Sequence, residues 1–217
     1  MPYEQELIDK PYQIICEGAD DCGFFSRLIR DRSIPDIQVG AGRGKDRRCL
    51  GDSGFSIRLQ AIDDFSQVLN KGIIIVADCD DKPIEKFRFA CNCLRQHKLA
   101  VPSASLEIAV TRDGRKSSVI MIPAGGEDGG LETLLLACCD GVTTNRGCVD
   151  AFCACIPEAP RKIDRDKLRL RSLIAATHPE DPGLALTSWL STDNRPFAMT
   201  HPALDSLESF LLQFIAP

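Results

Sequence analysis

An α/β fold built on a central, mostly parallel sheet is what this sequence predicts. Short β-rich apolar runs alternate with amphipathic helical stretches along most of the chain, the pattern of strands joined by crossover helices. The run Gly72-Ile73-Ile74-Ile75-Val76-Ala77 is apolar throughout, as a parallel strand covered on both faces should be. Finally, 217 residues with 44% hydrophobic and 26% charged side chains suit one large globular domain, or a domain with an appendage.

Taken in order, Tyr12 to Cys16 reads as a buried strand ending at Glu17-Gly18. Asp20 or Asp21 then caps a helix that carries Phe24, Phe25, Leu28 and Ile29 along one side. Ser33 to Val39 is expected as a second strand. It leads into the loop GAGRGKDRR and a helix through Ile57, Ala61, Ile62, Phe65, Val68 and Leu69, closed by Asn70-Lys71-Gly72. The third strand, Gly72 to Ala77, ends at Asp78-Cys79-Asp80-Asp81, and Pro83 fits the first turn of a helix running to about His97. Ser105 to Thr111 and Ser118 to Ile122 are expected to pair through a turn at Asp113-Gly114. A loop over 125–130 and a helix from Leu131 to Cys139 complete an α/β core over 1–140, with about four strands in its sheet. Residues 141–217 are less regular. Helices at Arg165 to Thr177 and Leu204 to Ile215 make this part a helical extension packed on the core.

Composition excludes several classes. The apolar runs fall far short of the ~18–20 residues of a membrane helix, so no membrane span is expected. The opening MPYEQELIDKPY is acidic where a signal peptide would be basic, which points to the cytoplasm. Eleven cysteines, an odd count without an export signal, argue for reduced thiols over a disulfide framework. The net charge of −5 means that any contact with nucleic acid must use a local basic surface.

In open α/β sheets reactive residues gather at the carboxyl ends of strands. Here acids gather there. Glu17 ends the first strand, and Asp78 and Asp80 end the central one at i and i+2, which in an extended backbone points both to the same side. Glu132 opens a helix after the next strand and its glycine-rich loop. A single Asp after a strand is ordinarily a helix cap or turn former. Acids at three strand ends instead suggest a shared cation, because clustered carboxylates raise one another's pKa unless one neutralises them. Such hard oxygen donors suit Mg²⁺ or Mn²⁺.

IICEGADD resembles the first motif of the Toprim superfamily, an apolar strand ending in Glu-Gly with an acid a few positions on, and IIIVADCDD resembles its second, Asp-x-Asp. The GRGKD loop, VIMIPAGGEDGGLETLLL and DKLRLRSLIAATHPEDPGLALTSWL extend the resemblance to small stand-alone Toprim-like proteins, related to the nuclease domain of OLD-type proteins. The resemblance implies a Rossmann-like Toprim fold and Mg²⁺- or Mn²⁺-dependent phosphoryl transfer on DNA or RNA, with nuclease activity foremost. It implies Glu17 as general acid/base or metal ligand and Asp78 and Asp80 as metal ligands. Asp21, less surely Asp20, and Glu132 would serve a second metal, and Lys167 would stabilise charge on the phosphate. The chain departs from the family pattern at Pro123-Ala124, where Pro-Asp is expected; if that Asp serves the metal site, Glu127, Asp128 or Glu132 must substitute or the site is weakened. A non-catalytic metal- or nucleic-acid-binding subunit of a larger, phage-defence-like assembly is the alternative. A second copy of the chain or an ATPase is its expected partner.

Two basic segments remain. Arg43, Lys45, Arg47 and Arg48 against Asp46 give the glycine-rich loop a positive excess suited to a phosphate backbone, although a plain solvated loop fits equally well. The loop lacks the spacing of a nucleotide-binding P-loop. Arg161 to Arg171 is a second basic run. Cys91-x-Cys93 and Cys153-x-Cys155 miss the usual zinc spacing and read as small buried hydrophobes, and Trp189 reads as core. Topoisomerase chemistry needs a separate tyrosine-bearing domain, and this chain has only Tyr3 and Tyr12.

Overall fold

The computed structural model describes residues 7–44, 48–66, 68–124, 127–139, 145–157, 162–192 and 197–217. Strand β1 (Tyr12–Cys16) leads into helix α1 (Ala19–Asp31), strand β2 (Ile37–Ala41) and helix α2 (Gly54–Phe65). Strand β3 (Gly72–Asp78), helix α3 (Pro83–Gln96), the short strand β4 (Ala109–Val110), strand β5 (Lys116–Ile122) and helix α4 (Leu131–Cys138) follow. The sheet order is β2-β1-β3-β5-β4, with β4 as an antiparallel edge and every other pairing parallel. This is the α/β architecture expected from the sequence, with five strands in place of four.

The register follows the side-chain period of two. Ile14, Ile74, Val76, Ile120 and Ile122 face one apolar cluster, in which α1 and α4 pack. Ile15, Ile73, Ile75, Ala77, Val119 and Met121 face the other, which α2 and α3 cover. Strands with both faces buried must be apolar at every position, which is why the central run was so legible. Since β1 lies between β2 and β3, the chain moves outward to β2 and then returns past β1 to reach β3. The crossovers therefore diverge between β1 and β3, leaving a crevice at the carboxyl ends of those two strands.

Past residue 140 come α5 (Arg146–Ala154), α6 (Lys162–Thr177), α7 (Leu186–Ser191) and α8 (Asp205–Ile215). Leu170, Leu173, Trp189, Phe210 and Phe214 from these helices join the cluster of α1 and α4. Tyr12 meets Phe214 edge-on at 5.9 Å. Arg32, at the end of α1, donates to the carbonyls of Met199 and His201 and pairs with Asp205 and Glu208. The extension therefore shares the sheet's core. Two of its helices were not foreseen: α5 is nine residues long and buries only Val149, and α7 is six residues long.

Other differences are local. Val68 and Leu69 lie beyond α2, and β2 runs over Ile37–Ala41 instead of beginning at Ser33. The expected hairpin is present around Gly114, whose φ of +86° lies in the left-handed region glycine tolerates. Six cysteines (16, 79, 91, 93, 138 and 139) are buried in the core, and none of the eleven is in a disulfide. Trp189 is fully buried. Among the described residues no helix is long and apolar enough to cross a membrane.

Candidate functional site

The crevice between β1 and β3 collects the acids. Glu17 follows β1, and its Oε1 accepts the backbone N–H of Asp78 at 3.1 Å, tying the two strand ends together. Asp78, the last residue of β3, accepts the N–H of Leu131 at 3.1 Å, which fixes it against the start of α4. Close approach requires glycine there: a Cβ on Gly130 would lie 2.8 Å from Asp78 Oδ2 and 2.4 Å from Ile163 Cδ1. At the start of α1, Asp21 accepts the N–H of Gly18 at 3.1 Å, so Asp21 caps the helix and Gly18 is its N-cap. Asp20 instead accepts from Thr187 N–H at 3.2 Å.

Glu17, Asp20, Asp21, Asp78 and Glu132 line one pocket of about 340 Å³, and Lys167 of α6 lines it with them. Cys49 and Gly51 form another part of its wall, which brings the segment after the glycine-rich loop to the pocket. The electrostatics are those of uncompensated negative charge. Burial, a hydrogen bond with Asp52 and repulsion from Asp52 push Glu17 up to about 9, against the opposing pull of Lys86. Burial and the charges of Asp21, Glu132 and Asp80 push Asp78 to about 8. Burial likewise raises Asp21 to about 6, with Glu132 adding to the effect and the Gly18 N–H opposing it. Glu132 is raised by burial, while Lys167 and Arg171 pull it back.

Asp80 does not line this pocket. Strand geometry ends at Asp78, and Asp80 has a φ of +49°, so the i, i+2 argument for a common direction fails at the step where the backbone leaves the extended region. Its carboxylate pairs with Lys86 Nζ at 2.9 Å. Lys86 also pairs with Asp52 at 2.8 Å and reaches Glu17 Oε1 at 3.6 Å.

A family model described as "Protein of unknown function (DUF3226)" matches residues 11–216. The chain belongs to the DUF3226 family. No curated protein and no solved structure matches it.

In this DUF3226 chain the sequence reading missed Asp52, Lys86 and Arg171 as members of the charged site. Arg171 lies one helical turn beyond Lys167 on α6, 4.0 Å from Asp20. Its i, i+4 spacing from Lys167 was the signal available. Lys86 lies four residues into α3 with no motif around it. Of the basic loop, Arg43 bridges to Cys49 at the backbone and holds its thiol down against burial, while Arg48 closes the loop through the N–H of Gly44. Lys45 and Arg47 lie outside the described residues. Of the substitutes for the missing acid after Pro123, Glu132 lines the pocket, whereas Glu127 is exposed and faces Lys162 at 3.8 Å.

Donor chemistry decides whether a divalent ion suits this DUF3226 site. Four pocket carboxylates, Glu17, Asp21, Asp78 and Glu132, are all held above their ordinary range, first by burial and then by neighbouring carboxylates, and as hard oxygen donors they suit a divalent ion by type and charge. As they stand, no three His, Cys, Asp or Glu side chains among the described residues are arranged as a finished metal site. The fit is therefore one of ligand type and charge.

Proposed function

We propose that this protein carries out Mg²⁺- or Mn²⁺-dependent phosphoryl transfer on nucleic acid, as a nuclease of the Toprim type. The observation that carries the proposal is the meeting of Glu17, Asp21, Asp78 and Glu132, from separate elements, in one pocket with Lys167. Asp21, Asp78 and Glu132 are the residues that would hold the ion, with Glu17 at its edge. When bound there, such an ion supplies Lewis acidity toward a phosphodiester and a more acidic water. Glu17, held by the Asp78 N–H, is positioned to manage a proton at the carboxyl end of β1. Lys167 supplies fixed positive charge across the pocket for a phosphate oxygen. Arg43 and Arg48 give the neighbouring loop a surface for the backbone on either side of the reacting phosphate. Cytoplasmic work is consistent with eleven cysteines held outside disulfides.

Two observations favour a second reading, a non-catalytic subunit that binds metal or nucleic acid within an assembly. Asp80 is engaged by Lys86, and β5 ends in Pro123-Ala124 without a carboxylate. Purified protein incubated with single- and double-stranded DNA and RNA, with Mg²⁺ or Mn²⁺, separates the two. Cleavage that disappears in Glu17→Gln and Asp78→Asn supports the nuclease. Equal cleavage by both variants refutes it, and Mn²⁺ binding with no cleavage of any substrate supports the subunit.

A further inference from the structure

Lys86 meets carboxylates from three parts of the chain. Its ammonium touches Asp52 Oδ2 at 2.8 Å and Asp80 Oδ2 at 2.9 Å, with Glu17 Oε1 at 3.6 Å. These carboxylates come from three separate stretches of chain: the end of β1, the turn before α2 and the loop after β3. The lysine side chain is only 20% exposed, and Glu17 only 17%. An ammonium bridging three convergent acids occupies the position that a divalent cation would otherwise take, and the two cannot be there together. The hand of each residue agrees. Asp78 is in phase with the strand residues that face α1 and α4, whereas Glu17 is in phase with those that face α2 and α3, where Lys86 resides.

Resting on the metal reading above, we propose that Lys86 is a resident cation that excludes a second divalent ion. The acidic crevice then binds one divalent ion on the side of Asp21, Asp78 and Glu132, while Asp52 and Asp80 serve the lysine. Asp80 is thereby removed from the metal ligands, and Glu17 is the one carboxylate common to both halves. In this arrangement the ammonium also holds Glu17 and Asp80 in place whether or not a metal is bound. Lys86 acts through these acids and is a positioning residue.

Mn²⁺ binding to the full chain tests this, by calorimetric stoichiometry and by the paramagnetic resonance spectrum. The wild type is expected to bind one Mn²⁺ per chain, with the spectrum of an isolated ion. Lys86→Met is expected to gain a second ion and the spectrum of a coupled pair, and Lys86→Arg to return to one. Should Lys86→Met fail to fold, Asp80→Asn against Asp78→Asn carries the same test. Asp80→Asn should leave Mn²⁺ affinity within about threefold of wild type, whereas Asp78→Asn should weaken it by about tenfold or more. Two ions in the wild type, no added ion in folded Lys86→Met, or an affinity loss in Asp80→Asn matching that of Asp78→Asn would each overturn the proposal while leaving the metal site intact. No Mn²⁺ bound by the wild type overturns both this proposal and the metal reading on which it rests.

Discussion

Two groups of acids flank the carboxyl end of the same sheet, and they solve the problem of clustered charge in opposite ways. On the side of α2 and α3, Asp52, Asp80 and Glu17 surround an ammonium. Burial works against the charged form of Lys86, but hydrogen bonds from it to Asp52 and Asp80 outweigh burial and hold it protonated above its ordinary range. On the side of α1 and α4, Asp21, Asp78 and Glu132 share a pocket in which Lys167 and Arg171 offset only part of the charge. Burial first, and then the charges of neighbouring acids, hold Asp21 and Asp78 above their ordinary range. A protein that needed only to bury acids would complete both sides alike. That one side is compensated by the fold and the other is not locates the place where an external cation has most to offer.

The largest test of this contrast is removal of the internal cation. Breaking a buried charge set costs about 3–5 kcal/mol, and the partial exposure of Lys86 argues for the lower end, about 3 kcal/mol. Urea denaturation of metal-free Lys86→Met should show that loss, and Lys86→Arg should recover most of it. If Lys86→Met is as stable as the wild type, the two sides do not differ in the way described.

The uncompensated side predicts a pH dependence of the opposite origin. Asp78 and Asp21 titrate near 8 and 6 in the folded chain, above the ordinary 3.8 expected when unfolded. The folded state therefore binds more protons between those values, so the stability these two acids contribute is complete below about pH 4 and is lost as pH rises toward 8. The metal-free protein should lose about 4–8 °C of Tm from pH 5 to pH 8.5, the equivalent of about 2 kcal/mol at this size. Mn²⁺ should restore far more at pH 8.5 than at pH 5. A flat profile in chelator would mean that the pocket acids are not repelling one another.

How much of this was legible in the sequence depends on whether the information was local. The central strand was legible because burial on both faces leaves an unbroken apolar run, and Glu17, Asp78 and Glu132 were legible because strand ends mark the converging edge of an α/β sheet, whereas Asp21 was singled out only through the resemblance of its motif. The direction of Asp80 was not, because it depends on one left-handed residue just past a strand, in a position where extended geometry was the natural assumption. Lys86 and Asp52 were not legible either. They meet across 34 residues, and nothing in either local segment records the other. Helix α7 is too short to show a period, and its core residues Leu186, Trp189 and Leu190 are as compatible with a loop as with a helix.

A smaller effect separates repulsion from coordination. Asp78→Asn keeps an acceptor for the Leu131 N–H while removing one charge from a group that Asp21 and Glu132 already disfavour. At pH 8.5 without metal it should gain about 1 kcal/mol, or roughly 2–4 °C in Tm. With saturating Mn²⁺ that sign should reverse, because the wild type gains from binding and the variant does not. Destabilisation in both conditions would make Asp78 a structural strand-end acid and nothing more.

The smallest effect separates the two glutamates that follow Pro123-Ala124 in the chain. Glu127 and Glu132 are both within reach in sequence, but the structure treats them differently. Glu127 has a side chain 76% exposed with Lys162 at 3.8 Å, a surface pair worth at most a few tenths of a kcal/mol. Glu132 is in the first turn of α4 and lines the pocket. Glu127→Gln should therefore leave both stability and Mn²⁺ affinity unchanged within error, while Glu132→Gln should weaken Mn²⁺ and, like Asp78→Asn, stabilise the metal-free chain at high pH. The reverse result, with Glu127 governing affinity, would require the 127–131 segment to fold inward over the pocket when metal binds. It would then be this loop, and not the helix start, that completes the acidic side.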